Sequence, residues 1–103
     1  MTRSGVLSQL TGTPEMQARF LARKAAFADS LMNFRAEYCH DQQRFADLLG
    51  NLHKFSGIAG LFGAGRLGVL AADGHETLRS AAPGQRATLI CALQRAVQQE
   101  LER

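Results

Sequence analysis

The chain has 103 residues, 46% of them hydrophobic and 20% charged, with a formal net charge of +3. That length predicts one domain with its own core and leaves no room for a second, catalytic domain; the composition excludes a disordered chain. Its 12 Lys and Arg residues are scattered and no apolar run approaches a secretory core or a membrane span, so the expectation is a cytoplasmic protein that meets neither nucleic acid nor membrane.

Residues 1–12, rich in Ser, Thr and Gly, read as a lead-in, flexible or briefly helical, whose Val6, Leu7 and Leu10 can dock on the folded body at 13–103. "TPE" at 13–15 then offers Thr13 as N-cap, Pro14 at the first helical position and Glu15 at the positive end of the helix dipole. The apolar series Phe20, Phe27, Leu31, Phe34 and Tyr38, widened by Met16, Leu21, Ala28 and Met32, predicts a first helix running up to a break at "CHDQQ", 39–43. Asp41 is the candidate cap of the second helix, whose buried face is Phe45, Leu48, Leu49, Leu52, Phe55, Ala59 and Phe62. Gly63, Ala64 and Gly65 form a turn, and the third helix follows with Leu67, Leu70, Ala71 and Leu78 inward until Pro83 and Gly84 end it. The fourth buries Leu89, Ile90, Leu93, Ala96, Val97 and Leu101. Four amphipathic helices with short connections predict an all-α, antiparallel up-down-up-down four-helix bundle. Cys39 and Cys91 have neither a CxxC nor a metal-ligand spacing, so they are expected to be reduced thiols packed on apolar helix faces.

The second helix carries another stripe beside its buried face. Ala46, Gly50, His53, Gly57 and Gly60 recur at spacings of four, three, four and three, and His53 is their one large side chain. Each helix-interior glycine costs about 1 kcal/mol relative to alanine, so the stripe serves something other than helix stability. Small neighbours let another body approach the imidazole closely. The competing explanation, tight packing between helices, predicts those glycines buried. No two of His40, His53 and His75 share an i, i+3 or i, i+4 relation and no carboxylate series accompanies them, so no metal site is expected.

The segment "LHKFSGIAGLFGAGRL", 52–67, resembles the core motif of the histidine-containing phosphotransfer (HPt) domain family, in which a histidine is followed at fixed offsets by glycines and small residues. Here His53 is followed by Gly57, Ala59, Gly60, Gly63 and Ala64, with Leu67 and Leu70 at the family's apolar positions in the next helix. The resemblance implies that His53 accepts a phosphoryl group from the aspartyl phosphate of a receiver domain and passes it to the aspartate of another. The partners it implies are receivers of response regulators or hybrid histidine kinases, docking transiently over Gly50, Gly57 and Gly60 on a monomeric protein. Phosphoryl transfer is mostly positioning and charge stabilisation, and an imidazole titrating near ~6.5 is largely neutral and nucleophilic at physiological pH. Magnesium and its acidic ligands belong to the receiver, so no cofactor is expected on this chain.

Three positions depart from the family. Ser56 stands where many members have Lys or Arg, leaving its hydroxyl and the long stem of Lys54 as candidate phosphate contacts. Gly74 and His75 stand where a large apolar residue and a Gln or Glu are common, which makes His75 a candidate partner of the acceptor ring or border of the docking surface. The alternative reading is an HPt-like adaptor that binds receivers or another regulator without transferring phosphate. Autokinase activity is not expected, since no glycine-rich nucleotide-binding region follows.

Overall fold

The computed structural model describes residues 12–103, and the Val6, Leu7 and Leu10 docking expected of the lead-in lies outside them. Among the described residues there are four α-helices, α1 (Pro14–Met32), α2 (Gln42–Ala59), α3 (Gly65–Ser80) and α4 (Arg86–Leu101), joined by short 3-10 segments and without a strand. Each helix packs on its neighbours in the chain, and α4 returns to α1, which closes a helical bundle.

Local chemistry sets most of the boundaries. The Thr13 hydroxyl accepts the Met16 N–H at 3.1 Å, and Pro14 opens α1 where its missing N–H is no loss. Asp41 accepts from the amides of Gln43 and Arg44 at 3.0 and 3.1 Å and so starts α2. At the other end of α2, Gly63 takes φ +78°, a left-handed turn that glycine adopts without a Cβ clash, before α3 begins at Gly65.

The end of α1 differs from the sequence expectation. The helix stops at Met32, and Phe34 and Tyr38 belong to a connector whose Ala36–His40 stretch is 3-10 helix. A side chain from the far end of the chain accounts for it. The Gln94 amide of α4 donates to the carbonyls of Leu31 at 2.9 Å and Phe34 at 3.0 Å, satisfying acceptors that a continuing helix would otherwise have used itself. Phe34 still packs against the core, edge-on to Tyr38 with ring centres 5.6 Å apart.

Leu31, Leu52, Ala59, Ala71, Leu78 and Val97 form the driest part of the core. Phe27 stacks on Phe55 with centres 4.1 Å apart, and Phe20 on Phe62 at 4.6 Å, so these aromatics tie α1 to α2 and to the 3-10 turn that follows it. Burying such side chains is worth roughly 1.5–3 kcal/mol apiece. Two expectations need correction. Leu21 is 59% exposed because it lies outside the Phe20, Phe27 and Leu31 face, and Cys91 is exposed while Cys39 is buried. Burial pushes the Cys39 thiol up from its ordinary value, with a smaller opposing effect from the Arg86 charge.

Where α2 meets α3, Gly68 is buried, and a Cβ built there would stand 3.2 Å from the Ala59 Cβ and 3.6 Å from the Ser56 carbonyl oxygen. A Cβ on Gly74 would stand 2.6 Å from Leu93 of α4. These two glycines allow α3 to lie close to both neighbours. They are the packing glycines of the fold, and neither belongs to the His53 stripe.

Candidate functional site

His53 sits in the C-terminal half of α2 between Leu52 and Phe55, both buried, and is itself exposed. Its neighbours anchor the helix while the 100° step per residue turns the imidazole out of the core. Of the stripe around it, Ala46, Gly57 and Gly60 are exposed and Gly50 is half-buried. A Cβ added at Gly50, Gly57 or Gly60 meets nothing within 4 Å, so among the described residues none fills the space a side chain would take there. The packing explanation required burial there, whereas Gly57 and Gly60 are exposed and Gly50 is only partly covered. Leu61, 59% exposed, follows Gly60 directly and extends this face with a large apolar side chain.

The three candidate phosphate contacts are placed very differently. Lys54 lines a groove of about 320 Å³ between α1 and α2, together with Arg23, Phe27, Ser30, Asn51, Phe55 and Ile58. Its stem thus runs along the α1 side of the helix. The Ser56 hydroxyl donates to the His53 carbonyl at 2.7 Å, the back-bonding common to helical serines, and its proton is committed to the backbone of its own helix. His75, half-buried on α3, is the one that reaches the His53 ring. The two imidazole centres are 5.3 Å apart with their planes tilted by 42°, a ring contact that involves no hydrogen bond between them.

The surroundings of the pair are ordered by charge. Glu76, next in sequence to His75, accepts from Arg79 at 2.6 Å. That hydrogen bond and the guanidinium charge hold the Glu76 carboxyl below its usual value, with a small contribution from His75. His40 is exposed at the end of the connector and belongs to a different element from either His53 or His75. Among the described residues no three His, Cys, Asp or Glu side chains group as metal ligands, and no helix is long and apolar enough to cross a membrane.

Chemically, this site offers an accessible nitrogen nucleophile on a rigid helix, a second imidazole against it, and an open, small-residue surface on which a partner can close. The stripe and the histidine pair were legible in the sequence as candidates. The contact of His53 with His75 and the diversion of Lys54 and Ser56 depend on rotamers and helix packing. Comparison of the chain with protein-family models, with curated proteins and with solved structures finds no match.

Proposed function

We propose that this chain is a histidine phosphotransfer protein of the HPt kind, carrying a phosphoryl group on His53 between the aspartates of receiver domains. The observation that carries the reading is the exposed His53 imidazole set among Gly50, Gly57 and Gly60, where the space above the small residues is open. A receiver's active-site loops need that clearance to bring aspartyl phosphate in line with a ring nitrogen. In the forward step the His53 lone pair forms the P–N bond as the P–O bond to aspartate breaks and the carboxylate leaves. Charge stabilisation at phosphorus comes from the magnesium held by the receiver, and this chain acts as carrier without autokinase activity.

The finer architecture we infer is up-down-up-down. Ala59 meets Gly68 and His53 meets His75, so contacts move backward along α2 as they move forward along α3, the pattern of antiparallel neighbours. The protein would act in the cytoplasm as a monomer, with receiver contacts near or below about 1,200 Å² in total, the size of transient encounters. One observation favours the second reading, a receiver-binding adaptor that does not transfer phosphate: neither the Lys54 stem nor the Ser56 proton is directed to His53's ring.

The deciding experiment treats the protein with phosphoramidate and locates acid-labile phosphate by mass spectrometry. Selective labelling of His53 over His40 and His75, abolished in His53→Gln, supports the carrier and justifies transfer assays with receivers. Labelling that ignores His53 leaves the adaptor.

A further inference from the structure

The phosphoacceptor step leaves one proton without a destination. A neutral imidazole attacks phosphorus through the nitrogen that holds the lone pair, and its other nitrogen still carries hydrogen. As the P–N bond forms and the donor's bond to phosphorus breaks with its electron pair, the ring becomes a phosphoimidazolium cation. It turns into neutral phosphohistidine only when that N–H proton leaves. On the return path the proton must come back, because the cationic ring is the better leaving group.

We propose that His75 takes this proton, holds it as an imidazolium beside the loaded His53, and returns it when the phosphoryl group departs. The assignment rests on the phosphoacceptor reading of His53 and on one geometric fact, the 5.3 Å separation of the ring centres. Taking about 1.1 Å from each centre to its nitrogen leaves about 3 Å, the length of an N–H···N hydrogen bond. The imidazole torsion about Cβ–Cγ is soft, so a turn of either ring lines up the nitrogens at little cost. His75 is half-buried and His53 exposed, so the phosphorus end of the acceptor remains free for the partner.

The other groups near the pair do not fit the role. The Ser56 proton is bonded to the His53 carbonyl, and Lys54 lies along the groove toward α1. On α3, Glu76 is paired with Arg79 and ionised throughout the histidine range, and Asp73 borders the seam toward α4 beside Leu89, Ala92 and Leu93. From α2, the ionisable ring in contact with His75 is His53 itself. Proton partnership by a second imidazole also supplies the loaded state with a cation where the chain lacks Lys or Arg at Ser56. In this scheme His75 is a positioning and proton-holding residue, and the group that meets phosphorus is His53.

The test compares initial rates of His53 labelling by phosphoramidate in the wild type and His75→Gln, from pH 5.5 to 8.5. Glutamine keeps a hydrogen-bonding side chain and cannot carry the proton. The expected ratio of wild type to variant is tenfold or more at pH 8, collapsing toward one at pH 5.5 as imidazoles charge. Donor ionisation is common to both proteins and cancels in the ratio. A ratio that stays constant over the range overturns the proposal while leaving His53 as acceptor. No labelling of His53 in either protein overturns both readings. A measurement on the wild type alone guards against misfolding of the variant: in the phosphorylated protein, ring nitrogen NMR at pH 7.5 should show both nitrogens of His75 protonated. A neutral His75 ring there overturns the proposal.

Discussion

Replacing Gly57 by alanine separates an open glycine from a packing one. Gly57 lies within α2, two residues from its end, and a Cβ there meets nothing within 4 Å. The substitution therefore collects the helix-propensity gain of about 0.8–1.0 kcal/mol with no steric offset. For a domain of this size each kcal/mol moves the melting temperature by about 4–8 °C, so Gly57→Ala should melt roughly 4–8 °C above the wild type. Gly50 is also open and lies seven residues away, about 10 Å along the helix, so Gly50→Ala with Gly57→Ala should give roughly twice the shift. Gly68→Ala is the control. Its Cβ would press on Ala59 at 3.2 Å, and an overpacking cost of about 1–3 kcal/mol cancels or exceeds the same propensity gain. Circular dichroism melts at 222 nm, with urea midpoints as a check, read all four proteins. Destabilisation by Gly57→Ala, or stabilisation by Gly68→Ala equal to that at Gly57, would refute the division into open and packing glycines. A bulkier residue at Gly57 should then leave the fold intact and block transfer from a receiver.

Three further outcomes are expected. Gln94→Ala leaves the Phe34 carbonyl without its donor and the Leu31 carbonyl with backbone bonds alone, and should cost about 1–3 kcal/mol in urea unfolding, with the connector at 33–40 losing proteolytic protection first. Glu76 has its carboxyl lowered in the folded state from an ordinary 4.5, so its contribution to stability is complete above that value and is lost as the pH falls through the lower one. In Glu76→Gln that acid-side decline in melting temperature should be smaller than in the wild type, and identical acid limbs would remove the assignment. Cys91 is exposed and Cys39 buried with its thiol pushed up, so iodoacetamide should modify Cys91 alone in the native protein and Cys39 only on unfolding; equal rates at both would contradict the burial.

The one-dimensional pattern was enough for the parts of this protein that depend on local chemistry. Thr13 with Pro14, Asp41, and the Gly63 turn mark their boundaries because caps and left-handed turns act within a few residues. The three-and-four spacing of Phe45, Leu48, Leu52, Phe55 and Ala59 named the buried face of α2, and the same arithmetic turned His53 outward. It failed at Phe34 and Tyr38, whose spacing continues that of α1 although the helix has ended. The cause is Gln94, sixty residues away, and no local pattern records a hydrogen bond across the bundle. The same limit applies at the candidate site. Sequence spacing set out the glycine stripe around His53, but open and packing glycines look alike in one dimension. Only the tertiary packing, tight where a Cβ would stand on Gly68 and Gly74 and open where one would stand on Gly50, Gly57 and Gly60, tells them apart. Only that packing brings His75 against His53, while individual rotamers turn Lys54 toward α1 and the Ser56 hydroxyl onto its own backbone. Periodicity sets the face a side chain leaves from, and the neighbouring helix decides what it meets.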